Sequence, residues 1–189
     1  MKSLLLLAAF SLLTSSLGAV EPEPPRSHGE VLKLIHFTDH LREFRESIVG
    51  MVGDLRPMKP GMPSWFWDEM EREVSMDGYA QWLVGIFEKG LSQEEVIQLN
   101  AFFGDSKKKV LMDKLLESLR GKKDDDFVRG VQEFQRTNDR ELAEEIIRFM
   151  QTPVSLKYGA VLREIGAGRR EITLKLFSEA DQRIRVRHK

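Results

Sequence analysis

The chain has 189 residues, with 29 basic and 30 acidic side chains, four histidines and no cysteine, for a formal net charge of −1. That length is one domain's worth, with enough apolar content for a real core. The charge balance leaves no basic footprint for nucleic acid, and the lack of thiols excludes disulfides, a thiolate nucleophile or metal ligand, and a lipid-bearing cysteine.

Residues 1–19 read as a cleavable signal peptide: Lys2, an apolar run from Leu4 to Leu13, then small residues ending in Gly18-Ala19. The run suits a secretory core and is too short to span a bilayer. Cleavage is expected after Ala19, with Gly18 as the alternative because Leu17 fits the −3 position poorly. Location is therefore periplasmic or secreted, with no integral membrane segment left after cleavage. Residues 20–28 form a Pro-rich, charged leader, and residues 29–187 make up a single all-helical domain.

Ser27 and Glu30 have capping-box spacing for a first helix. From there Leu34, Phe37, Leu41, Phe44, Ile48, Met51 and Leu55 recur at alternating steps of three and four. The pattern predicts one N-terminal helix of about 25 residues, ended by the prolines of "RPMKPGMP". Ser64 is placed to cap a short helix with Phe66, Met70 and Val74 on one face, Trp67 beside it and Trp65 pointing away. The next helix, about Asp77 to Lys89, is expected to end with Gly90 in the left-handed position and Leu91 folded back on Ile86. Ser92 and Glu95 then cap a further helix at once, so these two neighbours are expected to pack antiparallel.

A corner at Gly104, Asp105 and Ser106 leads into a helix reaching Arg120. Basic and acidic residues in "RGKKDDD" complement the helix ends on either side. A helix from Phe127 to Arg136 follows, then one starting at Asn138 with Glu141. Thr152 as N-cap and Pro153 as first helical residue start the next. "GAG" at 166–168 reads as a break before a last helix carrying Ile172, Leu176, Ala180 and Ile184. The predicted fold is all-α, with eight or nine helices and a long N-terminal helix packed on consecutive antiparallel hairpins.

Shifting the chain by 47 residues lays Phe87 on Phe134, Glu94 on Glu141 and Phe102 on Phe149, which suggests repeat units at about 79–119 and 126–166. In "EEVIQLNAFFGDSKKKV" and "RELAEEIIRFMQTPVSLK" the chain resembles the bacterial exported family called domain of unknown function 2059. That family's pattern has an acidic helix start, a Phe-Tyr pair, Ser-Pro, Gly and Lys. The first copy offers Glu94, Glu95, Phe102 and Phe103, with Asp105-Ser106 in place of Ser-Pro. The second offers Glu141, Phe149, Met150, Thr152-Pro153 and Lys157, with Ser155 in place of the glycine. The resemblance spans about Val31 to Leu116, with an echo from Phe134 to Ile165. It implies an all-helical exported protein and lends no catalytic residues.

Residues that could carry chemistry have structural explanations beside them. His36 and His40 have the four-residue helical spacing of a metal pair, but Phe37 stands where the zincin motif has glutamate and no third ligand is evident. Ser106 and Lys109 have Ser-x-x-Lys spacing without the partner motifs of acyl enzymes. Glu94 and Glu141 sit in first helical turns, where carboxylates cap. The tail "RIRVRHK" could meet anionic surfaces or simply end a helix. Trp65 is the candidate partner surface, while Trp67 and Trp82 read as core or groove residues. No catalytic, cofactor-binding or metal site is assigned and no cofactor is implied. The reading is an exported non-catalytic accessory or binding protein, acting on an envelope protein or cell-surface component through an inter-helix groove or the Trp65 surface. The alternatives are an envelope hydrolase with scattered residues, or a carrier of a small apolar ligand in a Met- and Phe-lined cavity. The corners at residues 104–106 and 151–153 are expected to be turns that send Phe149 and Met150 into the core.

Overall fold

The seam from Leu34 to Leu55 forms, but it runs over two helices rather than one. In the computed structural model, which describes residues 28–119 and 124–189, α1 (His28–Phe37) stops at a two-residue turn and α2 (His40–Met58) restarts. The Thr38 hydroxyl donates to the Leu34 carbonyl at 2.8 Å, and Asp39 takes the left-handed conformation at φ 57°. Aspartate tolerates that region better than most residues, because its short polar side chain can bond locally. Leu34, Phe44 and Ile48 stay buried across the break, so the apolar period survives a kink that it cannot report. The signal peptide, the leader up to Ser27 and the Ser27 cap lie outside the described residues, whereas His28 already belongs to α1.

The remaining helices are α3 (Ser64–Glu73), α4 (Met76–Gly90), α5 (Gln93–Phe103), α6 (Ser106–Leu119), α7 (Asp124–Thr137), α8 (Arg140–Met150) and α9 (Pro153–Arg187). The fold is all-α, and no strand occurs among the described residues. Arg120 to Lys123 lie outside them, and α7 starts ahead of the Phe127 start read from the sequence. Asp139, not Asn138, caps α8 by accepting from the Leu142 N–H at 3.0 Å. The Asn138 side chain instead donates to the Phe134 carbonyl and closes the end of α7.

The long helix is the last one, not the first. "GAG" breaks nothing: α9 runs unbroken for 35 residues, roughly 50 Å at 1.5 Å per residue. A methyl group on Gly168 would come within 2.8 Å of Trp82 Cζ2, so this glycine lets the indole lie directly on the α9 backbone. Gly90 has a similar role. It stays helical rather than left-handed, α4 ends at extended Leu91, and a Cβ there would meet Val161 at 2.4 Å. Both glycines read from the sequence as chain breakers are therefore contact points between α4 and α9.

Although the α4–α5 connection is short and the Ser92–Glu95 capping box forms as expected, these two helices do not pack on each other. Each packs instead on α1, whose Val31, Leu34 and Ile35 are all buried. Asn100 of α5 fixes that arrangement by donating to the Glu30 carbonyl and carboxylate at 2.9 and 2.8 Å. The main core gathers α1 to α5 and α9, with Phe44 stacked on Tyr79 at 3.7 Å. A smaller core gathers Leu111, Met112, Leu115, Phe134, Ala143 and Ile146 from α6 to α8. Phe103 and Phe149 touch both cores.

The 47-residue offset is kept by the helix boundaries. α5 and α8, their caps Ser92 and Asp139, and the starts of α6 and α9 all correspond. The packing does not follow it, because α7 and α8 contact each other whereas α4 and α5 do not. Phe102 and Phe149, which the offset superposes, stack on one another at 3.6 Å between centroids and 8° between planes.

Candidate functional site

The two corners are built alike and lie side by side. At the first, the Asp105 carboxylate accepts from the Lys107 and Lys108 N–H groups at 2.9 and 3.3 Å. At the second, the Thr152 hydroxyl accepts from the Ser155 N–H at 3.2 Å and donates to the Phe149 carbonyl at 2.7 Å. Each thus satisfies N–H groups that the first helical turn leaves unpaired. Lys157 of the second copy also reaches back to Glu95 of the first at 2.6 Å. Burial works to raise the Glu95 carboxyl, but the Lys157 ammonium and the Ser92 donors outweigh it and hold the group below its usual range.

Phe103, Phe149 and Met150 are half-buried rather than sunk in the core, contrary to the expectation for the corner. They line a half-open cleft of about 400 Å³. One wall is a face of α6 with Lys109, Met112, Asp113 and Leu116 at steps of three, four and seven. The other is a face of α9 with Ser155, Gly159, Leu162 and Arg163 at steps of four, seven and eight. The backbones of α6 and α9 do not contact each other, so the cleft is the gap between them. Leu116 and Leu156, 50% and 64% exposed, stand on opposite walls.

The α1–α2 turn closes the polar end of the cleft. Tyr158 lies beside it, and burial, against a smaller opposing influence of Thr38, pushes its phenol well above the ordinary range, so it stays protonated. Lys109 pairs with Asp39, the residue in the left-handed turn. That hydrogen bond, joined by Arg42, keeps the Asp39 carboxyl below the usual carboxylate range despite some burial. His40 also lines the cleft. Burial, reinforced by the positive charge of Arg169, pushes its imidazole down to about 4, so it is neutral at pH 7. Its Nε2 is buried without a hydrogen-bond partner.

The turn also separates the two histidines read as a metal pair. Their spacing crosses a left-handed residue instead of following one helical face, leaving His36 exposed and His40 half-buried against Phe87. Among the described residues no three His, Asp or Glu side chains gather as a metal site. Ser106 is exposed, while the Lys109 ammonium is committed to Asp39. Glu94 and Glu141 lie exposed in first helical turns.

Trp65 is 42% exposed, yet its ring lies 4.2 Å from that of His188. The basic tail folds onto α3 around it, with Arg187 on Glu73 at 2.8 Å, Arg183 on the Glu73 carbonyl at 2.7 Å and His188 on Glu69 at 3.1 Å. The candidate partner surface is thus partly occupied by the chain's own C-terminus.

The cleft residues missed in the sequence were Met112, Leu116, Gly159, Leu162 and Arg163. Leu116 and Leu156 carry the signal that could have revealed it: leucines on helix positions that the core does not use. No protein-family model, curated protein or solved structure matches the chain.

Proposed function

We propose that this is an exported, non-catalytic binding protein that acts through the cleft between α6 and α9. The observation that carries the reading is the cleft itself: an apolar gap between two helices, floored by Phe103, Phe149 and Met150 and flanked by exposed leucines. Ligand sites are concave and mostly apolar with a few placed polar groups, and this cleft fits that description. Its chemistry favours binding over turnover. General-base catalysis needs a basic group within hydrogen-bond reach of the proton it removes. At this cleft the Nε2 of His40 is buried and its imidazole is only weakly basic, the Tyr158 phenol is held protonated, and Lys109 is paired with Asp39.

Export rests on the signal-like residues 1–19, and the resemblance to domain of unknown function 2059 agrees with it while naming no activity. N-terminal sequencing of the protein recovered from the envelope or medium checks the export. A photo-crosslinking amino acid placed at Leu116 in living cells checks the cleft, with the same group at Val49 of α2, which is exposed away from it, as control. A species captured at Leu116 and not at Val49 is expected. Equal capture at both positions, or none at either, would overturn the reading.

A further inference from the structure

We infer that the cleft binds a small, uncharged, largely apolar molecule of two or three rings or the equivalent length of alkyl chain. This rests on the proposal that the cleft is the binding site and names what fills it. Size is the first argument. A cavity of about 150 Å³ already holds one benzene, so a cleft of about 400 Å³ suits a molecule two to three times larger. A docked protein is a poor match. The wall faces span eight and nine residues, roughly 11 Å of helix each, whereas a stable protein interface uses about 20 to 30 residues a side.

Charge is the second argument. The rim carries Asp113 on α6, Arg163 on α9 and Glu43 on α2, with Arg169 at 4.0 Å from Glu43. Lys109 and Asp39 cancel each other. Two acidic and two basic groups remain, so no net field favours an anion or a cation. The interior is built from Met112, Met150, Phe103, Phe149 and Leu162. Methionine and aromatic side chains adapt to flat or flexible apolar bodies through dispersion and sulfur–ring contacts. The Ser155 hydroxyl has no side-chain partner among the described residues and can serve a single hydroxyl, ester or amide on the ligand.

Gly159 supplies the selectivity element. It lies in the α9 wall, and a Cβ built there meets only the tip of the Arg163 side chain, at 3.9 Å. The space above this glycine is therefore available to a ligand, in contrast to the spaces above Gly90 and Gly168, which neighbouring side chains fill. A larger side chain at position 159 would fill the cleft while leaving both cores untouched.

The test uses N-phenyl-1-naphthylamine, an uncharged fluorescent probe of this size, with its anionic counterpart 1-anilinonaphthalene-8-sulfonate for comparison. Saturable one-to-one binding of the neutral probe by the purified protein is expected, with affinity for the sulfonate at least tenfold weaker. Gly159→Leu should weaken the neutral probe at least tenfold with an unchanged or raised melting temperature, and Trp65→Ala should leave binding unaltered. Neutral-probe binding that survives Gly159→Leu overturns the inference, as does a preference for the sulfonate. If the probe fails to bind while Leu116 still crosslinks to a protein in cells, the small-molecule inference falls and the binding cleft stands. If both fail, both fall.

Discussion

Acidification should destabilise the fold through His40, and the size of the effect follows from its setting. Burial and the nearby Arg169 lower this imidazole from 6.5 to about 4, against a smaller opposing influence of Asp39. The unfolded chain therefore takes up a proton near pH 6.5, whereas the folded chain resists until about pH 4. Stability is fully present above 6.5 and falls as pH drops between the two values. At 1.36 kcal/mol per unit, the whole shift is worth about 3 kcal/mol, and about 2 kcal/mol of it is gone by pH 5. That is a large share of the 5 to 15 kcal/mol typical of a folded domain. The assay is urea unfolding followed by circular dichroism at pH 7.5, 6 and 5, for the parent and for His40→Leu. Leucine cannot titrate and also removes the unpartnered Nε2, so at pH 7.5 the variant should match or exceed the parent. The decisive quantity is the stability difference between the two proteins, since carboxylates such as Asp39 and Glu95 contribute to both. It should grow by about 2 kcal/mol in favour of the variant from pH 7.5 to 5. A difference that stays constant over this range would refute the burial argument for His40.

Other substitutions test the packing. Phe149→Ala removes one half of the parallel stack with Phe102 from a half-buried site, and chemical denaturation should show a loss of about 2 to 3 kcal/mol, below the range for a fully buried phenylalanine. Gly90→Ala should cost about 1 to 3 kcal/mol because its methyl collides with Val161, although alanine is the better helix former. Adding Val161→Ala should recover part of that loss, and no recovery would mean that the helices meet differently. Glu95→Ala removes the capping box and the tie to Lys157, and thermal melts converted to free energy should show a loss of about 1 kcal/mol.

The elements and their starts were legible because capping is local chemistry. Ser92 with Glu95, and Thr152 with Pro153, each announce a helix within a few residues, and the folded chain uses both as read. The apolar rows were legible for a related reason. A helix buries one face, so Ile172, Leu176, Ala180 and Ile184 share a spacing and are all buried. The break at Thr38-Asp39 is not legible in the sequence because a single left-handed residue leaves the apolar period on either side intact. The continuity of α9 is not legible either, because two glycines close together look like a break. The helix continues through Gly168, where Trp82, distant in sequence, lies against its backbone. The same limit applies to the cleft. Its Met112, Leu116, Gly159 and Leu162 look like unremarkable helix positions until α6 and α9 stand apart across the Phe103–Phe149 floor.

The all-helical class, most helix starts and the residues that face inward can be read from the amino-acid order alone. These follow from hydrogen bonds and periods spanning a few residues. Which helices meet is settled by long-range packing: α4 and α5, joined by a short connection, both turn to α1 instead of each other, and two similar corners come together to floor a cleft. Pairing between helices depends on the fit of whole faces brought together from distant parts of the chain, and no local spacing encodes that fit.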